Sequence, residues 1–189
     1  SSGRKVVIFA TCFVNYNNPR IGVLFSKILA LNGIESEVVY PGCCGMPQLE
    51  MGDLDSVTSR ARRITHELAE WINRGYSVVA LVPSCALMLK FEWPLLLPRD
   101  PIVRLVSSHT ADLSEYIVDL AKTQGLTGFS QPLETDVTLH LACHARAQNM
   151  GIKGAEMLRL IPGVELKVVE RCSGHGGLWG IKKNNFETY

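Results

Sequence analysis

Five short runs rich in β-branched and apolar residues recur along the chain: KVVIFAT (5–11), SEVVY (36–40), SVVALVP (77–83), VTLHLA (137–142) and ELKVVE (165–170). Between them lie stretches with helical periodicity: PRIGVLFSKILALNG, closing at Gly33; LDSVTSRARRITHELAEWINRG, with Asp53 as N-cap and Gly75 as stop; ADLSEYIVDLAKTQG; and IKGAEMLRLIPG. Runs of strand length alternating with helices predict an α/β fold with a mostly parallel sheet and right-handed crossovers.

Length and composition agree with that reading. A chain of 189 residues, 47% hydrophobic and 20% charged, can bury a sizeable core. The expectation is a single domain over 4–189 with two similar halves, 4–125 and 135–189, and with Ser1, Ser2 and Gly3 as a cloning scar outside the fold. A net charge of +1 and a pI of about 7.6 offer no basic footprint, so no nucleic-acid partner is expected. The longest apolar runs, such as VVALVP and LLLP, fall far short of the roughly 20 residues of a membrane span, and no basic-then-apolar leader opens the chain. The expected location is cytoplasmic. Six cysteines are too sparse for a secreted disulfide scaffold, and in a reducing compartment they point to metal or redox ligands.

Every cysteine falls just past the carboxyl end of a predicted strand: Cys12 after the first, Cys43 and Cys44 after the second, Cys85 after the third, Cys143 after the fourth and Cys172 after the fifth. In a parallel sheet those ends share one edge, where open α/β folds collect ligands, so thiols distant in sequence converge there. Each following helix points its positive N-terminus at that edge, which favours thiolate over thiol. Cysteines used only for packing would be scattered within strands and along helix faces.

The stretch PGCCGMP (41–47) sets Cys43 beside Cys44. Neighbouring Cα atoms lie about 3.8 Å apart, short of the roughly 4.4–6.8 Å of a relaxed disulfide. A vicinal bridge is therefore strained, which disfavours metal-free thiol–disulfide exchange and leaves metal ligation or a pair of buried thiols. An internal repeat sharpens the pattern. VVIFATCFVNYNNPRIG with ILALNGIESEVVYPGCCGMP lines up with VTLHLACHARAQNMGIKG and MLRLIPGVELKVVERCSGHGG. Cys12 to Cys43 is 31 positions and Cys143 to Cys172 is 29. The second unit is poorer, with Ser173 in place of the second thiol. The chain reaches Tyr189, in a helix-like KKNNFETY, before any counterpart of the Cys85 strand, an apparent truncation.

Cys12, Cys43, Cys44 and Cys85 supply four thiolates, the ligand count of an iron–sulfur cluster and also of structural zinc. Zinc ribbons hold their ligands in tight C-x-x-C knuckles, whereas these spacings are long, and adjacent thiols bind neighbouring irons more readily than one small tetrahedral ion. Cys143 with His144, and Cys172 with His175, form a candidate second metal set, against the alternative that the two histidines are donors behind the ligands. Arg146 and Arg171 flank the same cysteines and are candidate donors to cluster sulfurs or to an anionic substrate. Gly45, with Met46 and Pro47, is expected to shape the turn under the cluster and allow close backbone approach. His140, in a strand, and His66, on a charged helix face, read as structural. Arg60, Arg62 and Arg63 read as a solvated helix face, and Trp93, Leu95, Leu96 and Leu97 as a packed loop or an apolar docking patch. The spacing of Gly174, Gly176 and Gly177 does not fit a dinucleotide fingerprint.

The strings ATCFVNYNNP, YPGCCGMPQLEMGD, VPSCALMLK, CHARAQNMG and ERCSGHGG together resemble the cysteine-rich CCG domain over nearly the whole chain. That family includes the B subunit of heterodisulfide reductase, iron–sulfur subunits of lactate and glycolate oxidation, and the C subunit of anaerobic glycerol-3-phosphate dehydrogenase, to which these strings are most similar. The resemblance implies that Cys12, Cys43, Cys44 and Cys85 are cluster ligands, with Cys143 and Cys172 the remnant of a second unit. It departs from the family where Met88 stands in place of the last cysteine of a Cys-x-x-Cys pair. A 4Fe-4S type cluster, or a noncubane variant shared between halves with a second-half residue completing it, is then expected rather than a five-thiolate noncubane cluster held by the first unit alone. The implied function is an iron–sulfur redox subunit. It would relay electrons from a flavin dehydrogenase, such as one for glycerol-3-phosphate or a 2-hydroxy acid, to quinone or a disulfide-type acceptor. Its partners would be a flavoprotein dehydrogenase subunit or a ferredoxin-like domain, with membrane contact only peripheral and through partners. The alternatives are a zinc-binding structural or docking domain, and disulfide reduction at the cluster in the manner of heterodisulfide reductase.

Overall fold

The computed structural model describes residues 3–128, 131–133, 135–174, 180 and 182–188. Its centre is a parallel sheet in the order β2-β1-β3-β4, with β1 at Lys5–Phe9, β2 at Glu35–Val39, β3 at Ser77–Ala80 and β4 at Thr110–Asp112. Lys5 pairs with Glu35 and Phe9 with Val39 on one side of β1, and Val6 with Ser77 and Phe9 with Ala80 on the other. Strand β1 is therefore central, and it is apolar on both faces because both are covered.

The period of two in β1 sends its residues into two cores. Val7 and Phe9 pack with Val57, Ala61, Ile64, Leu68 and Ile72 of helix α4 (Leu54–Asn73), while Val6 and Ile8 pack with Phe25 and Leu29 of α2 (Pro19–Leu31) and with Ile117 and Leu120 of α8 (Leu113–Gln124). The spacing of the α4 residues is one apolar stripe of a helix. Burying a side chain such as Ile64 or Leu68 completely contributes about 1.5–3 kcal/mol. Asp53 caps α4 by accepting from the Ser56 N–H at 3.2 Å, and Asp112 with Glu115 forms a reciprocal capping box on α8.

Short helices follow the strands: α1 (Cys12–Tyr16), α3 (Met46–Glu50) and α5 (Pro83–Leu87). A π-helical turn over Met88–Glu92 continues α5 into α6 (Trp93–Leu96), and α7 (Pro101–Ser108) leads to β4. The second sheet is a parallel pair, β5 (Asp136–His140) and β6 (Glu165–Val169), joined through α9 (Cys143–Arg146) and α10 (Lys153–Leu158). The two pairs end alike: the Ala10 N–H donates to Val39 O at 3.0 Å, and the Leu141 N–H to Val169 O at 3.0 Å. Among the described residues no helix is long and apolar enough to cross a membrane.

The α/β class and all five anticipated strands are present. Strand β4 was not anticipated, because HTAD carries no apolar run to signal it; its register with β3, Val78 to Thr110, is set by tertiary pairing. Trp93–Leu96 is helical, not a loop, with Leu97 capping it, and the stretch splits in burial: Trp93 is fully buried and Leu95 exposed. Residues Lys183–Thr188 form a 3₁₀ helix.

Candidate metal centre

The carboxyl edge of the sheet assembles the thiols, and each arrives by a sharp local device. After β1 the chain turns at Thr11, a fully buried residue with φ 56° whose hydroxyl accepts from the Val14 N–H at 3.1 Å, and this starts α1 at Cys12. After β2 the turn 41–45 uses Gly42 at φ 144° and Gly45 at φ 90° to present Cys43 and Cys44 ahead of α3. A Cβ on Gly45 would meet Val57 Cγ2 at an ordinary 3.5 Å, so the left-handed backbone, more than close approach, calls for glycine there. Pro83 opens α5 and places Cys85 in its first turn, while Cys143 begins α9. After β6, the Gly174 N–H donates to Cys172 Sγ at 3.3 Å.

All six thiols line one open cavity of about 660 Å³, with Phe13, Met46, Pro47, Val82 and Pro83 as apolar wall. Cys12 and Cys43 have their sulfurs 4.0 Å apart, and Cys44 is within hydrogen-bonding reach of both Cys43 and Cys85. Cys44 and Cys85 are buried, Cys12 and Cys43 half-buried, and Cys143 and Cys172 exposed; all six are free thiols. The donors ring a space and do not meet at a point: among the described residues no three His, Cys, Asp or Glu side chains are grouped to hold a single ion.

The N–H groups at the helix starts act toward thiolate, as expected, with Phe13 at Cys12, Gly45 at Cys43 and Met46 at Cys44, but at these three thiols other causes outweigh them. The Cys12 thiol is pushed up by burial and then by the neighbouring Cys43. Cys43 is held well above its ordinary value by its hydrogen bond with Cys44 and by burial. At Cys44 the hydrogen bond from Cys43 acts downward, but the contact with Cys85 and burial outweigh it, and the thiol is raised. The helices that begin at Cys12 and just after Cys44 are only five residues long, too short to offset desolvation and mutual repulsion at these thiols. Among the described residues no lysine or arginine lines the cavity to compensate thiols crowded and desolvated in this way, and positive charge is what a bound metal group supplies.

On the opposite wall, His144 Nδ1 lies 2.8 Å from Ser84 Oγ, the residue before Cys85. His175 lies outside the described residues. Arg146 pairs with Glu170 at 2.7 Å and borders a neighbouring cavity of about 210 Å³, while the Arg171 carbonyl meets His140 Nε2 at 2.7 Å; neither arginine is among the residues lining the thiol cavity. Met88 is fully buried in the core beneath α4 and away from the cavity wall.

Sequence reasoning missed three residues that brace the site. Trp93 Nε1 donates to the Cys44 carbonyl at 3.0 Å, and Arg63, read as part of a solvated face, donates from Nη1 to the Pro41 carbonyl at 2.6 Å. Gln148 is almost fully buried: its Nε2 reaches Pro83 O at 3.2 Å and Asp112 Oδ2 at 3.4 Å, and its Oε1 accepts from Lys90 at 3.2 Å. A single glutamine or tryptophan carries no periodic signal that would mark it.

The family model described as CCG, cysteine-rich domain, matches residues 6–90. The C subunit of the anaerobic glycerol-3-phosphate dehydrogenase of Escherichia coli (strain K12) is 30% identical over 190 residues, covering 97% of this chain and 46% of its own. The B subunit of the CoM/CoB fumarate reductase of Methanothermobacter marburgensis is 28% identical over 191 residues, covering 98% of this chain and 35% of its own. The chain thus spans half or less of these two relatives. Lactate utilization protein A of Bacillus cytotoxicus is 30% identical over 192 residues, covering 94% of this chain and 75% of its own.

Proposed function

The chain belongs to the cysteine-rich CCG domain family, and we propose that it is an iron–sulfur electron-transfer subunit or domain of an oxidoreductase. The observation that carries this reading is the ring of thiols from distant strand ends around one cavity, with no three donors grouped for a single ion among the described residues. Ligands drawn from three strand ends without C-x-x-C knuckles, two of them adjacent in sequence, suit a polynuclear group better than zinc.

Cys12, Cys43, Cys44 and Cys85 are the proposed primary ligands, a set that matches a 4Fe-4S type cluster. Cys143 and Cys172, with His144, stand on the facing wall as the proposed contribution of the second half. His175 belongs to this proposal as a further donor, whereas Arg146, paired with Glu170, and Arg171 lie off the cavity wall and are proposed only as neighbours behind Cys143 and Cys172. When bound, the cluster supplies one-electron redox chemistry. The chain's own residues do the rest. Phe13, Met46 and Pro83 limit water at the thiols, Ser84 orients the His144 imidazole, and Gly45 lets the turn carry two adjacent sulfurs. The residues 4–189 act as one domain in this account.

The relatives named as dehydrogenase and fumarate reductase subunits and as a lactate utilization protein support an electron path. It runs from a flavoprotein dehydrogenase for glycerol-3-phosphate or a 2-hydroxy acid to quinone or a disulfide-type acceptor, with a ferredoxin-like domain as relay. The proposed location is the cytoplasm, peripheral to the membrane through partners. The test is removal of Cys43 or Cys44, each replaced by Ser in anaerobically prepared protein. Loss of the visible chromophore supports the proposal, and unchanged absorbance and redox behaviour refute it.

A further inference from the structure

We propose that Trp93 is a positioning residue for the thiol-bearing turn 41–45, tying the backbone of Cys44 to the helical segment that carries Cys85. The inference rests on the reading of Cys44 and Cys85 as ligands of one cluster.

The turn needs an external brace. Two of its five residues are glycines with positive φ, Gly42 at 144° and Gly45 at 90°, and glycine gives the backbone the widest choice of conformations. Two side chains from outside the turn restrict it. At its centre the fully buried Trp93 donates its indole N–H to the Cys44 carbonyl at 3.0 Å, across 49 positions of sequence. At its start Arg63 donates to the Pro41 carbonyl at 2.6 Å, and any Cβ on Gly42 would lie 2.8 Å from Arg63 Nη2.

Trp93 is well placed to transmit position because its own segment is fixed. Cys85 in α5 runs without a break through the π-helical turn into α6 at Trp93. A π turn loosens the regular ladder, and here outside groups hold it: Ser107 Oγ donates to the Lys90 carbonyl at 2.6 Å, and Lys90 Nζ pairs with Glu115 at 2.6 Å. The Cys85 thiol and the Cys44 peptide are therefore referred to one rigid element. The indole N–H also engages the negative end of the Cys44 carbonyl dipole, which lessens the negative potential that this peptide places at its own residue's sulfur and so favours the more negatively charged, reduced state of any group bound there.

The experiment compares Trp93→Phe with the parent protein. Phe keeps an aromatic ring in the core and removes the donor. In metal-free, reduced protein, alkylation of Cys44 by iodoacetamide, resolved by peptide mass spectrometry, is expected to be about fivefold faster, the population change equivalent to one neutral hydrogen bond. In reconstituted protein the midpoint potential is expected to move to more negative values, with altered EPR g-values. A folded Trp93→Phe protein with the parent's alkylation rate, potential and g-values overturns the inference; faster alkylation with unchanged potential and g-values also overturns it, since loss of a merely structural tryptophan loosens the core without moving the last two. Should Trp93→Phe fail to fold by circular dichroism, Arg63→Leu on the exposed face of α4 applies the same test at the other end: faster alkylation of Cys43 supports the brace and an unchanged rate refutes it. A parent protein that takes up no iron and sulfide defeats the cluster reading, whereas the alkylation comparison still decides the bracing of the turn.

Discussion

The sulfurs of Cys12 and Cys43 lie 4.0 Å apart although 31 positions separate them in sequence. Parallel pairing accounts for this closeness: β1 and β2 end together at Phe9 and Val39, and each chain then turns toward the same edge. Cys44 and Cys85 join them from the neighbouring loops, and the facing pair β5 and β6, ending at His140 and Val169, brings Cys143 and Cys172 to the same cavity.

Single serine substitutions should sort the six thiols into two groups. Cys12, Cys43, Cys44 and Cys85 are each expected to lose most bound iron when replaced, whereas Cys143→Ser and Cys172→Ser, at exposed thiols, should keep iron but alter the EPR spectrum. Iron and acid-labile sulfide per chain, with circular dichroism to confirm folding, check this. Iron lost only on changing Cys143 or Cys172 would contradict it.

Gln148 should behave as a strut. Gln148→Leu removes partners from Asp112, the Pro83 carbonyl and Lys90 in a nearly water-free position, at a cost of about 1–3 kcal/mol in urea unfolding. A stability equal to the parent's would show that the strut carries nothing.

Asp112 meets both this strut and the start of α8, accepting from the Ser114 N–H at 2.9 Å and the Ser114 hydroxyl at 2.6 Å. Asp112→Ala is expected to cost about 1–2 kcal/mol through the lost cap. Because the two residues share a contact, the Asp112→Ala, Gln148→Leu double variant should lose less than the sum of the single variants. Strict additivity in the same unfolding experiment would refute the coupling.

The sequence makes the layered fold legible because β1 and α4 carry strong periodicities, two for Val6 to Phe9 and about three and a half for Val57 to Ile72. The cysteines are legible because each follows a strand. What is not legible depends on three-dimensional partners. Strand β4 is three polar-flanked residues recruited by β3, Trp93 finds Cys44 only after α5, the π turn and α6 are in place, and Arg63 looks like any solvated arginine until the Pro41 carbonyl arrives beside it. The net upward shift at Cys12, Cys43 and Cys44 is not legible for the same reason, since burial and neighbouring sulfurs are tertiary facts.

The link between α8 and α10 should weaken in acid. Lys122, then Lys153, hold the Glu156 carboxyl below its ordinary range through contacts of 2.7 and 2.8 Å. A depressed folded value means that the stability it contributes is present above the unfolded pKa and is lost as pH falls through the folded one. The pair is solvent-exposed, so the effect is small and is screened by salt. Glu156→Gln should flatten the acid limb of stability against pH at low ionic strength, and an unchanged limb would refute this assignment.

The central claim is tested most directly by iron, zinc and acid-labile sulfide quantitation on anaerobically purified protein, with EPR of its oxidised and dithionite-reduced forms. The account predicts iron with sulfide and a signal that changes with redox state. Zinc alone, EPR-silent in both forms, would contradict it.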